Sequence, residues 1–129
     1  MSLSEKHDTT VEVVSNVFRK TGYEIQVNRP FGSPRMRQYA DIVALGPRDA
    51  FIVEVKTSRT GSSDVIAMES FVRAAESEPL LKGRKVKGII VSPGTLDPAK
   101  VLSSEWEIEV IEGDTSPKIE KGLYQFLEK

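Results

Sequence analysis

Residues 39–57 read YADIVALGPRDAFIVEVKT. Two runs rich in Val, Ile and aromatic residues flank Gly46-Pro47-Arg48-Asp49, a stretch with the composition of a hairpin turn. Strands are therefore expected over Tyr39–Leu45 and Ala50–Thr57. If Leu45 faces Ala50, each step back along the first strand meets a step forward along the second, and Asp41 arrives opposite Glu54. Directly opposed residues share a face, with side chains about 5 Å apart. Glu54 and Lys56 are two apart on one strand and project to that same face. The pattern predicts two carboxylates and an amine converging on one side of a sheet, provided no bulge shifts the register.

Facing carboxylates repel each other, and a cation between them offsets that cost. Hard divalent ions such as Mg²⁺ or Mn²⁺ take oxygen ligands and often bind through one or two carboxylates, with phosphate and water completing the shell. Such an ion acidifies water and polarises a phosphoryl oxygen. Lys56 is placed to steady negative charge developing on a phosphate. These parts suit metal-assisted phosphodiester hydrolysis. A Glu-Lys pair two apart on a strand is also common on ordinary solvated faces; Asp41 opposite it, behind an Arg-rich approach, favours a site.

That approach runs from Arg29 to Gln38, a loop punctuated by Pro30, Gly32 and Pro34. Arg29, Arg35 and Arg37 lie in it without an accompanying acid. With Ser33 they are expected to contact phosphate, as are Ser58 and Arg59 just past Lys56. Phe31, Met36 and Tyr39 flank the loop; wedging against bases is one reading for them, and packing beneath the loop is the expected one. Upstream, Tyr23–Asn28 alternates as a half-buried strand. Thr9–Lys20 reads as a helix with Val11, Val14, Val17 and Phe18 on one face and Gly22 past its end. Thr9-Thr10-Val11-Glu12 matches a capping box with Thr9 as N-cap, which competes with a site role for Glu12.

Downstream, Asp64–Glu78 reads as a helix capped by Asp64, followed by a strand over Lys87–Ser92 and a short helix over Pro98–Ser104. A strand over Glu107–Glu112 and a final helix over Pro117–Glu128 complete the chain. Lys82, Arg84, Lys85 and Lys87 read as a solvated turn, and Trp106 and the last helix's apolar stripe as core. The order predicts an α/β domain with a mixed sheet flanked by helices.

The whole chain, 129 residues with 39 % apolar content, is one domain's worth. It has no Cys, which excludes disulfides, Cys-based zinc sites and thiol nucleophiles, and one His, His7, which excludes two-His metal sites. The net charge is −1, so the positive charge available for a polyanion is local, not global. No apolar run has the length of a membrane span, and the N-terminus does not read as a signal peptide; a soluble, cytoplasmic protein is expected.

Asp41 followed by Glu54-Val55-Lys56, after a helix carrying Glu12, resembles the PD-(D/E)XK nuclease superfamily. The element order matches its restriction-endonuclease-like α-β-β-β-α-β core, and the stretch from about Thr9 to Ser92 resembles archaeal Holliday-junction resolvases. Ala40 stands where the family's Pro often precedes the Asp, and Glu69 and Ser70 occupy the region where resolvases often carry a Gln. The resemblance implies a metal-dependent DNA endonuclease, with branched DNA as a substrate class. Asp41, Glu54 and the Val55 carbonyl would bind Mg²⁺ (or Mn²⁺), Lys56 would assist the attacking water, and Glu12 would be an additional ligand. Cutting both strands of a duplex points to a homodimer. A different reading is a catalytically inactive nuclease-fold module for DNA binding or assembly; a plain polar sheet face without activity is a third.

Overall fold

The first helix begins one and a half turns earlier than its apolar stripe indicates. The computed structural model describes residues 2–129, and α1 spans Leu3–Lys20. The Ser2 hydroxyl accepts from the Glu5 N–H at 3.1 Å and caps the helix. Thr9 is therefore not an N-cap: it lies inside the helix, and Thr10 donates back to the Lys6 carbonyl. Glu12 points to solvent. Thr21 ends the helix, and Gly22 takes a positive φ of 95° to redirect the chain.

β1 (Glu24–Phe31) and β2 (Gln38–Leu45) extend deeper into the Arg-rich segment than the prolines imply, leaving only residues 32–37 as loop. Pro30 is tolerated because β1 is an edge strand. β3 (Asp49–Val55) follows the tight turn, and Leu45 pairs with Ala50 as the hairpin arithmetic requires. α2 (Ser62–Ala75) crosses over to β4 (Lys85–Ser92), with a short 3₁₀ turn at Pro79–Leu81 between. α3 (Asp97–Glu105) leads to β5 (Glu109–Glu112), and α4 (Ser116–Leu127) closes the chain.

The five strands stand in sequential order β1-β2-β3-β4-β5, antiparallel through β3 and parallel from β3 to β5. α1 and α4 cover one face, while α2 and α3 cover the other. Alternation in β3 divides its residues between two cores. Phe51, Val53 and Val55 pack with Val14, Phe18 and Leu123 under α1 and α4, whereas Ala50 and Ile52 pack with Val65, Met68 and Phe71 under α2. β4 carries the near-continuous apolar run Ile89-Ile90-Val91, as expected of a strand covered on both faces.

Two further expectations change. Arg84 is not part of a solvated turn: its guanidinium donates to the Gly46 and Leu80 carbonyls and ties the hairpin turn to the start of β4. Trp106 is 38 % exposed and lies at the end of α3 instead of in the core.

Candidate active site

The site forms where β2 parts from β3. The ladder between them is regular from Leu45↔Ala50 to Ile42↔Val53. One step further the Asp41 side chain replaces a main-chain acceptor, and the Val55 N–H donates to its Oδ2 at 2.8 Å. The strand turns over at this point. Ala40 packs in the core under α2, but Ile42 packs under α1, although residues two apart on a regular strand share a face. On β1 the partner position is Asn28, in the left-handed region at φ 53°. That paired distortion brings the Asp41 carboxylate into the seam between the strands, beside Glu54.

Glu54 is partly buried at the same spot. Burial pushes its carboxyl up to about 8, and the adjoining Asp41 carboxylate adds to the rise; the Asp41 N–H and Lys56 offset only part of it. Burial and the neighbouring carboxylate thus favour a proton on Glu54 near neutral pH, a place that a bound cation could take. Lys56 is half-buried, and its Nζ lies 2.9 Å from Asp64 Oδ1. Asp64 is not the N-cap of α2; it sits in the first turn and accepts the Gly61 N–H at 2.9 Å through Oδ2. Burial alone would raise the Asp64 carboxyl, but the Gly61 N–H and Lys56 together hold it below its usual range. A small cavity of about 140 Å³ brings Glu54, Lys56 and Asp64 together with Gln38 and Phe71.

His7 is the residue sequence reasoning passes over. Its Nε2 lies 3.3 Å from Asp41 Oδ2, and its ring is 34 % exposed. His7, Val11, Val14 and Phe18 follow the four-three spacing of one helical stripe. Extending α1 back to the Ser2 cap is the signal that would have placed His7 over the site. Glu12, by contrast, is not brought to it.

The basic residues divide. Arg29 belongs to β1; its guanidinium donates to the Pro30 carbonyl and lies over the Phe31 ring at 5.3 Å. Ser33, Arg35 and Arg37 are exposed on the loop, and Ser58 and Arg59 are exposed beyond β3. Phe31 packs beneath the loop as expected, but Met36 and Tyr39 do not: they are 79 % and 48 % exposed.

The donor set is compatible with a hard cation. Asp41 and Glu54 supply neighbouring oxygens at a place where burial and mutual repulsion disfavour charging both without a cation. Among the described residues no group of three or more His, Asp and Glu side chains is gathered to hold an ion by itself. The protein would then contribute two carboxylates, leaving positions for main-chain oxygen, water and phosphate.

Comparison with solved structures places this architecture. The chain has a restriction-endonuclease-like fold: a five-stranded mixed sheet flanked by helices. A repair endonuclease from Pyrococcus abyssi superposes with a TM-score of 0.65 at 18 % identity, over 87 % of this chain and 47 % of its own. EndoMS in complex with double-stranded DNA gives 0.64 at 19 % identity, over 86 % and 45 %. Can2 from Sulfobacillus thermosulfidooxidans, in complex with cyclic tetra-adenylate, gives 0.68 at 15 % identity, over 95 % and 36 %. The chain thus spans less than half the length of each of these proteins, and the likeness is one of fold. No protein-family model and no curated protein matches the sequence. No helix among the described residues is long and apolar enough to cross a membrane.

Proposed function

We propose that the chain is a metal-dependent DNA endonuclease that hydrolyses phosphodiester bonds. The observation that carries this reading is the meeting of Asp41 and Glu54, with Glu54 pushed up to about 8 by burial and by Asp41 and with the Lys56 amine close by. A Mg²⁺ or Mn²⁺ ion held by Asp41, Glu54 and the Val55 carbonyl would neutralise phosphate charge and acidify a water molecule.

The chain's own groups have separable tasks. The Val55 N–H and His7 Nε2 both engage Oδ2 of Asp41, which orients the carboxylate and leaves Oδ1 for a cation. Lys56 supplies a positive charge to the phosphate as negative charge develops on it. Asp64 holds that ammonium in place until a phosphate competes for it. Arg35, Arg37, Ser33, Ser58 and Arg59 flank the site as backbone contacts, with Arg29 stiffening the strand that feeds the loop. Glu12 has no part in this arrangement. The neighbours include proteins whose names or complexes involve DNA, which supports DNA as the substrate class. Cutting both strands of a duplex calls for a second copy related by two-fold symmetry.

Incubation of linear and branched DNA with the full chain and Mg²⁺ or Mn²⁺ tests the proposal. Cleavage is expected, falling at least 100-fold in Asp41→Ala and in Lys56→Ala. Unchanged cleavage in either variant rejects the assignment. Salt-sensitive DNA binding by a chain that never cuts would support the inactive-module reading instead.

A further inference from the structure

The loop between β1 and β2 combines features that a plain connection does not need. Its base is anchored. Phe31 is buried and packs edge-on against Phe71 of α2, with ring centroids 5.6 Å apart. The Gly32 N–H donates to Glu78 Oε1 at 2.9 Å, and the Met36 N–H donates to the Ser33 carbonyl at 3.0 Å. Gly32 has a φ of 90°, and a Cβ there would collide with the Met36 carbonyl, so the turn closes on itself in a way only glycine permits. The tight turn presents one large apolar side chain: Met36 is 79 % exposed, and Tyr39, at the start of β2, is 48 % exposed.

The flanks of the tip are basic. Arg35 and Arg37 are exposed, and among the described residues neither makes an ion pair. No acidic residue occurs between Glu24 and Asp41. The loop also opens toward the candidate site. Beneath it lies a cavity of about 400 Å³ that shares Gln38 and Phe71 with the small cavity holding Glu54 and Lys56. An exposed thioether between two unpaired guanidinium groups suits a polyanion whose interior is apolar, which is the chemistry of DNA with a broken base stack.

We propose that this loop is a wedge for interrupted DNA: Met36 enters an unstacked base step while Arg35 and Arg37 hold the phosphates on either side. The inference rests on the nuclease reading above and adds a specificity device to it. Intact duplex would have to be unstacked before Met36 could enter, whereas a junction, nick or mismatch has already lost that stacking.

The test uses the full chain with Ca²⁺ in place of Mg²⁺, and DNA carrying 2-aminopurine at a junction or mismatch. Addition of the parent chain is expected to raise the fluorescence several-fold as the base unstacks. Met36→Ala is expected to lose that rise and about 10-fold of the ratio between interrupted-DNA and linear-DNA affinity. Met36→Leu is expected to keep both, and because residue 36 is exposed, melting curves of all three should coincide. An unchanged ratio in Met36→Ala, with DNA still bound in Ca²⁺ and cut in a parallel Mg²⁺ reaction, overturns the wedge and leaves the nuclease reading standing. A chain that neither binds nor cuts any DNA overturns both. Self-association abolished by Met36→Ala, with no change in fluorescence, would make the tip a protein contact and overturn the wedge.

Discussion

Glu54 is the residue whose behaviour most directly reports the site. Its carboxyl, pushed up to about 8 by burial and by Asp41, stands above the ordinary 4.5. The folded chain therefore holds that proton more tightly than the unfolded chain does. Stability from this group is greatest below about pH 4.5, is lost as pH rises toward 8, and then levels off. The metal-free protein should lose roughly 2 kcal/mol of stability between pH 5 and pH 8, after allowance for partial exposure, and its melting temperature should fall with it. Glu54→Gln should flatten that dependence in thermal melts; an identical slope in the variant would place the titration elsewhere. His7 adds a second test at this scale. Its only site contact is with Asp41, so His7→Ala should weaken Mn²⁺ binding by about 10-fold in calorimetry, while a change below twofold would remove it from the site. The meeting of Asp41 and Glu54 was legible in the sequence because the short turn sets the register from Leu45↔Ala50 as far as Ile42↔Val53. His7 was not, because the apolar stripe stops at Val11 and the Thr9-to-Glu12 pattern mimics a helix start; the true cap at Ser2 lies outside the apolar periodicity.

At the scale of elements, the site depends on a strand that departs from regularity. β2 turns over between Ala40 and Ile42, opposite an Asn in the left-handed region, and alternation rules have no term for such a reversal. The sequence thus predicted that Asp41 meets Glu54, but not that it does so by displacing a ladder bond. α2 is the other positioning element. Asp64 joins its first turn to Lys56, so Asp64→Ala removes a main-chain cap and an ion pair together. A loss of about 1–2 kcal/mol is expected in urea unfolding. No loss would mean that the helix start is held by other contacts. Gly88 on β4 fixes how closely α2 approaches the sheet: a Cβ there would lie 2.6 Å from Met68 Cγ and 3.1 Å from Val72 Cγ2. Gly88→Ala should cost about 1–3 kcal/mol by overpacking, and an unchanged urea midpoint would show that α2 can shift freely.

The whole molecule is a sheet covered on both faces, with the candidate site where two strands separate beside the basic loop. Its near-neutral net charge of −1 conceals an uneven distribution. Under the proposed function, DNA would be met through a local basic patch, and affinity for linear DNA should fall with salt. Removing one phosphate-contacting charge, in Arg35→Ala or Arg37→Ala, should reduce the logarithmic salt slope by about one, and slopes equal to the parent's would exclude these residues from the interface. The element order and mixed sheet were readable because hydrophobic periodicity and turn chemistry agree along most of the chain. The Arg-rich segment was read as a longer loop because Pro30 ordinarily interrupts strands, and only an edge position makes it admissible.

The proposed chemistry requires Asp41 and Glu54 to share one cation. Calorimetric titration of Mn²⁺ into the full chain at pH 8 examines this without requiring turnover. One ion per chain should bind to the parent, and binding should disappear in Asp41→Asn and in Glu54→Gln while both variants remain folded. Failure of the parent to bind, or equal binding by Asp41→Asn and Glu54→Gln combined in one chain, would contradict it.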